Sequence, residues 1–257
     1  MYRRVMLLCL ALLAGLPVGV YAIDHDNLDE GRPLRLEDAY PIAEGEVAIE
    51  TGAGLSAQRK SRTRGLFPIE VLYGLAPNLQ VSLGTTLFTD PRQIEEQTKS
   101  GDLQLSGLYN FNQETLNLPA FGLRMTVNTP TGTASSGVDA RVKGLVTKSF
   151  ERLSIHFNPT YAVFSGTQSF ERDGRYEMAL GASYPLGAPK HTLSTIVGDI
   201  FTEQAPRRGD PQIAGVEMGV RQQWTPWTVL DAGIGTEFAG PTNRSSVFLT
   251  VGFSVGF

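Results

Sequence analysis

From Val247 to Phe257 every odd-numbered position is large and apolar (Val247, Leu249, Val251, Phe253, Val255, Phe257), while Thr250, Gly252, Ser254 and Gly256 fall between them. A period of two sends successive side chains to opposite faces of a β-strand, so this segment has one greasy face and one small or polar face. The pattern recurs. Val47, Ile49, Thr51, Ala53 and Leu55 oppose Ala48, Glu50, Gly52, Gly54 and Ser56, and Phe67, Ile69, Val71 and Tyr73 oppose Glu70 and Gly74. Clear repeats follow at 79–87, 102–111 and 121–128, and weaker ones at 138–150, 153–164, 175–184, 191–202, 212–224 and 228–238. That makes twelve segments. After the first twenty residues there is no run of about 18 apolar residues that could cross a bilayer as a helix. A closed barrel needs only alternate residues to be apolar, so the mean hydropathy of −0.09 averages two unlike faces.

An even number of antiparallel strands, each about ten residues long, predicts an all-β fold: a single transmembrane β-barrel of about 12 strands. The connections alternate in length. Long polar stretches lie at 59–64, 89–100, 130–137, 165–174, 203–211 and 239–244, and mostly shorter ones at 76–78, 112–117, 151–152, 185–190 and 225–227. Bacterial outer-membrane barrels have long external loops and short periplasmic turns, which predicts that both termini are periplasmic. Two aromatic belts fit that direction. Tyr73, Tyr109, Phe111, Phe121, Phe150, Tyr184, Trp224, Trp227 and Phe257 fall at the expected periplasmic ends, and Phe88, Phe164, Tyr176, Phe201 and Phe238 at the outer ends. A secreted β-sandwich also alternates, but its strands would not repeatedly set acids, Arg, Gly and Ser on one face.

The first 22 residues read as a secretory signal peptide, with Arg3 and Arg4, an apolar run from Val5 to Leu16, and cleavage expected after Ala22. The single cysteine, Cys9, lies inside it, so the mature chain has neither a disulfide nor a Cys-based site. The mature charge is 20 − 26, or −6, which does not suit a nucleic-acid partner. Residues 23–42 carry Asp24, Asp26, Asp29, Glu30, Glu37 and Asp38 without strand or helix periodicity, and are expected to be an acidic periplasmic arm. Residues 43–257 form the barrel, a single domain.

A charge pointing at lipid is costly, so the charged strand residues are expected to face the lumen. These lumen-lining candidates are Glu50, Glu70, Asp102, Asp139, Glu177, Glu217, Asp231 and Glu237, with Arg124, Arg141, Lys143 and Arg221. They suit either a polar conduit or ion pairs filling a narrow barrel. Basic residues of the external loops (Lys60, Arg62, Arg64; Arg207, Arg208) would meet lipopolysaccharide, which with the outer-membrane lipids is an expected partner. Catalytic patterns are weak. Gly252-x-Ser254-x-Gly256 lacks the strand-to-helix turn that exposes such a serine. Ser154, His156 and Asn158 share a strand face, but residues two apart lie nearly 7 Å from each other, too far for a nucleophile to reach its base. His25, His156 and His191 form no ligand motif, so neither a metal nor a cofactor is expected.

Several short pieces resemble the transporter-like outer-membrane β-barrel family associated with the meta-pathway of phenol degradation. They are Gly45-Glu-Val-Ala-Ile-Glu50, Tyr73-Gly-Leu, Gly101-Asp-Leu-Gln-Leu-Ser-Gly-Leu-Tyr109 and Thr129-Pro-Thr-Gly132. The terminal Phe257 is similar to the signal by which the barrel-assembly machinery recognises such proteins. The resemblance implies an outer-membrane channel or transporter for small molecules, hydrophobic or aromatic ones among them, and carries no substrate residues over. An outer-membrane lipid hydrolase using Ser154 and His156, and a non-conducting structural barrel, are the alternatives.

Overall fold

The computed structural model describes residues 23–59, 63–89, 98–133, 135, 137–187 and 193–257. The signal-peptide segment, Lys60, Arg62 and His191 lie outside the described residues. Among the described residues every regular element is a β-strand: β1 (Val47–Gln58), β2 (Arg64–Ala76), β3 (Leu79–Thr89), β4 (Thr98–Ser100), β5 (Leu103–Asn112), β6 (Ala120–Thr129), β7 (Asp139–Phe150), β8 (Leu153–Val163), β9 (Gly174–Leu186), β10 (Ser194–Glu203), β11 (Ile213–Thr225), β12 (Thr228–Ala239) and β13 (Ser245–Gly256).

Each strand pairs antiparallel with its sequence neighbour, and β1 also pairs with β13, which closes the sheet into a barrel. The three-residue β4 prolongs β5 along the same partner, β3, after an interruption at Gly101 and Asp102, so twelve strands make the wall. Closure leaves no sheet edge unpaired, the condition for backbone to cross hydrocarbon. At the seam Phe257 donates its N–H to the Val47 carbonyl at 2.8 Å, and Val47 donates back at 3.2 Å. Both termini of the barrel therefore sit at the end that carries the short turns.

The outer surface is an apolar band. Ile69, Leu105, Met125, Leu180, Ile200, Met218, Ile234 and Val251 are all exposed, as a lipid-facing surface requires. Tyr73, Tyr109, Phe111, Phe150, Tyr184, Trp224 and Trp227 form the expected belt at the short-turn end. Phe201 departs from the expected outer belt. On β10 the even-numbered Ile196 and Ile200 face outward, which turns Val197, Asp199 and Phe201 into the barrel, where Phe201 is 1% exposed.

An apolar residue facing a water-filled lumen would gain nothing, and here the lumen around Phe201 is occupied by protein. Residues 23–42, expected as a periplasmic arm, run inside the barrel, and residues 43–46 join them to β1. The arm enters at the short-turn end, where Ile23 meets Ala48 and Val229, and climbs to a tip at Pro33–Arg35. It returns through Glu37 and Ala39 to Ile42, packed beside Leu72, and passes into β1. Its two limbs are tied to each other, because Leu28 donates its N–H to the Asp38 carboxylate at 2.8 Å. The physical reason for this placement is visible in its composition. Leu28, Leu34 and Leu36 pack against Val197, Phe201 and Ile213, and Ala39 packs against Leu108 and Leu145. Each fully buried leucine contributes about 1.5–3 kcal/mol relative to exposure in water. The inward glycines make room for it. A Cβ on Gly233 would lie 2.6 Å from the Pro33 carbonyl oxygen, and one on Gly252 would collide with the Arg32 guanidinium.

Candidate functional site

The wall charges met by the arm fall into three sectors, one mainly basic, one mixed and one acidic, and the arm sets a charge of opposite sign against each of them. On β6 and β7 stand Arg124, Arg141 and Lys143. The arm brings Glu30 and Glu37 to them: Arg124 Nη1 reaches Glu37 at 2.8 Å, Arg124 Nε reaches Glu30 at 2.8 Å, and Lys143 Nζ lies 3.2 Å from both carboxylates. Arg124 also donates to Glu70 of β2 at 2.7 Å. On β1, β11 and β12 stand Glu50, Arg221 and Asp231. Arg32 of the arm bonds Glu50 at 3.2 Å and Asp231 at 3.0 Å, and Asp29 takes Arg221 at 2.7 Å. On β9 to β11 stand Glu177, Glu203 and Glu217, all bonded to Arg35 at 2.7–3.1 Å, whose guanidinium also stacks on Phe201 at 3.8 Å.

Nine of the proposed lumen residues are therefore brought to the arm or to its partners: Glu50, Glu70, Arg124, Arg141, Lys143, Glu177, Glu217, Arg221 and Asp231. Glu237 also faces inward, and accepts the Ser245 N–H at 2.7 Å away from the arm. Asp102 and Asp139 are corrected. Asp102 lies in the interruption between β4 and β5, where it accepts from Gly132 N–H and Ser135 Oγ, and Asp139 accepts the Ser165 N–H. Both fasten loops at the rim instead of lining a conduit. The arm residues Asp29, Glu30, Arg32, Arg35 and Glu37, and Glu203 of the wall, were missed from sequence.

Buried ions are costly unless each is paired and hydrogen-bonded, so the docked arm and this wall are mutually dependent. One arm group is held against its ordinary ionisation. Burial, with Asp29 and Glu37 nearby, pushes the Asp38 carboxyl up to about 7, although the N–H groups of Leu28 and Tyr40 favour its charged form. The docked arm thus holds a proton that the freed arm releases. The contribution of Asp38 to docking is fully present below its ordinary value of 3.8 and is lost as pH rises through 7. Amide exchange of the arm, corrected for intrinsic rates, is expected to rise between pH 6 and pH 8 by this term, and Asp38→Asn to flatten that rise.

The Ser154, His156 and Asn158 face does not assemble a triad. His156 Nε2 lies 2.9 Å from Ser183 Oγ and its Nδ1 3.2 Å from Thr147 Oγ1, whereas Ser154 Oγ pairs with Ser149 Oγ at 3.0 Å. Asn158 is occupied by the arm, accepting the Glu37 N–H and donating to its carbonyl.

Above and below the arm the lumen opens into two cavities with no lining residue in common. One of about 640 Å³ lies at the short-turn end, beside Tyr40, Ser154 and His156. The other, about 1200 Å³, lies at the loop end beside Leu34, Arg35, Phe170, Glu203 and Phe248. A closed twelve-stranded β-barrel with an apolar outer band, its lumen divided by its own N-terminal arm, is an outer-membrane barrel of the channel and porin architecture.

Within that class the chain belongs to the family described as "Putative MetA-pathway of phenol degradation", which residues 38–253 match. No curated protein matches it. Among solved structures, the COG4313 outer membrane channel from Pseudomonas putida F1 superposes with a TM-score of 0.66 at 14% identity, covering 90% of this chain and 100% of that one. NanC porin gives 0.58 at 12% identity (80% and 98% covered), and the CymD monoaromatic hydrocarbon channel 0.52 at 9% (84% and 89%). At these identities the likeness is one of fold.

Proposed function

We propose that the protein is an outer-membrane channel for small molecules, oriented with its short-turn end in the periplasm, and that the N-terminal arm closes it. The observation that carries this reading is the division of one barrel into two cavities by a segment that is covalently fixed at only one described point, its junction with β1. A permanent filling would be expected to grow from the wall. The loop-end cavity offers apolar and charged surface side by side, Leu34, Phe170, Ile213 and Phe248 next to Arg35, Glu203 and Glu217, which suits small amphipathic or aromatic solutes. The monoaromatic hydrocarbon channel among the structural neighbours supports the same class. Swelling of proteoliposomes in monohydroxylated benzenes tests it: permeation above protein-free vesicles is expected, and its absence for both the full chain and a chain lacking the arm would leave the non-conducting barrel as the reading.

We further read the protein as non-enzymatic, exported with cleavage after Ala22, and delivered to the barrel-assembly machinery through the strand ending at Phe257, in contact with lipopolysaccharide through its loop arginines. The separation of Ser154 from His156 supports the first of these. Phospholipid turnover by the parent is expected to equal background, and a turnover that Ser154→Ala abolishes would reinstate the hydrolase.

A further inference from the structure

The arm opens with Ile23-Asp24-His25, and cleavage after Ala22 leaves a free α-amino group on Ile23 with a histidine two residues on. Four nitrogens then follow one another along the chain: the α-amino nitrogen of Ile23, the peptide nitrogens of Asp24 and His25, and Nδ1 of the imidazole. Neighbouring main-chain nitrogens are joined through Cα and C, and the last pair through Cα, Cβ and Cγ, so a metal bound to all of them closes three small chelate rings. Neither Asp24 nor His25 is proline, so each peptide nitrogen carries a proton that a metal can displace. A flat, all-nitrogen set is the tetragonal geometry of copper(II), which also stands highest in affinity among the divalent first-row metals.

The fold gathers further donors at the same place. Asp24, His25 and Asp26 are the one group of described residues in which three potential ligand atoms lie within 4.8 Å of one another. Both carboxylates are at least half exposed, and with Ile23 they line the cavity at the short-turn end, so a cation entering that mouth meets them first. His25 itself is buried against the wall. Its N–H donates to Gln223 Oε1 of β11 at 3.0 Å, its Nδ1 lies 2.8 Å from Thr195 Oγ1 of β10, and Gln223 Nε2 donates to the Ile23 carbonyl at 2.7 Å. The two nitrogens of His25 that copper requires are those that the wall engages in the docked arm. One histidine cannot serve both.

We propose that the mature N-terminus is a copper(II) site built from these four nitrogens, and that copper and the wall hold His25 in alternation. On binding, the α-ammonium of Ile23 and the peptide nitrogens of Asp24 and His25 each release a proton, no electron is transferred, and the two amidate charges neutralise the metal. Copper that takes only the freed His25 has its apparent affinity lowered by the fraction of time His25 is off the wall. In return it favours the undocked state of the arm's first residues, since a ligand shifts the protein toward the state that binds it. The site rests on the cleavage proposed above, so the N-terminus is read separately from the metal.

The untagged protein, purified from membranes in detergent, is weighed by mass spectrometry and titrated with CuCl2 under absorption and electron paramagnetic resonance. A chain beginning at Ile23 is expected, giving at one equivalent the spectrum of tetragonal copper(II) with four nitrogen donors. Equimolar ZnCl2 should leave it unchanged, because zinc favours a tetrahedron. His25→Ala and Asp24→Pro, which remove the imidazole and one peptide N–H, are expected to lose this spectrum, and Asp24→Asn to keep it, because Asp24 supplies its main chain. Thr195→Val, which takes one wall partner from His25, is expected to tighten copper binding several-fold, and copper to raise amide exchange at residues 26–28 several-fold. A chain that begins elsewhere removes the cleavage and the site with it. One that begins at Ile23 but shows fewer nitrogens, or keeps four in His25→Ala, leaves the cleavage standing and overturns the site. Unchanged affinity in Thr195→Val together with unchanged exchange overturns the alternation.

Discussion

Deletion of residues 23–42 is expected to raise single-channel conductance several-fold and to admit solutes that the full chain excludes. The barrel's ladder is independent of the arm, since every wall strand is bonded to two wall neighbours and β1 to β13. What the deletion removes is the belt that keeps two cavities apart. The wall charges it uncovers, among them Glu50, Arg124, Lys143, Glu217 and Asp231, then face water and need no protein partner. The deleted protein should therefore remain a heat-modifiable barrel with unchanged strand content by circular dichroism. An intact deleted barrel that conducts no better than the parent would show that the arm is not the closure.

Arg124→Met is the substitution with the largest expected cost to docking. Arg124 is 3% exposed and contacts Glu30, Glu37 and Glu70, as well as Ser82 and Ser106. Losing it leaves Glu30 and Glu37 to two cations, Lys143 and Arg141, and takes from Glu70 its ion-pair partner. Removal of one partner from a buried ionic cluster costs about 3–5 kcal/mol. Because two of the three stranded acids belong to the arm, the cost should fall mainly on docking: raised arm exchange, raised open probability, and a smaller drop in the temperature of barrel unfolding. A double-mutant comparison separates these, for in the chain lacking residues 23–42 the same substitution is expected to change unfolding little. Equal destabilisation in both backgrounds would place the role of Arg124 in the wall alone.

The wall was legible because lipid enforces a strict rule. Each strand must show apolar side chains to hydrocarbon at every second position, and Val247–Phe257 or Phe67–Tyr73 display that rule without reference to the rest of the chain. The inward charges were legible by the same rule. The arm was not, because nothing periodic shapes it: it lies in no strand, and its partners are remote, Glu37 with Arg124 at a separation of 87 residues and Arg32 with Asp231 at 199. Two signals did point to it. The face of β10 that carries Asp199 also carries Val197 and Phe201, which water would not favour, and two cations, Arg32 and Arg35, stand between the acids Asp29 and Glu30 and the acids Glu37 and Asp38. Asp102 failed for a local reason. Strand periodicity was extended one residue past the real start of β5, into the interruption after Gly101.

The junction of the arm with β1 bears on how the closure behaves over time. Both limbs pass through the same mouth, and Gly45 at the foot, with φ +83° and its N–H bonded to the Gly74 carbonyl, ties the arm to the wall just before β1, so the hairpin can leave through that mouth without being threaded or severed. A stopper held in this way meets its seat as an intramolecular ligand at an effective concentration on the order of millimolar. Resealing would then be first order and indifferent to how many copies the membrane holds, so that the time a pore stays open is a property of each molecule and of the solutes that occupy its seat.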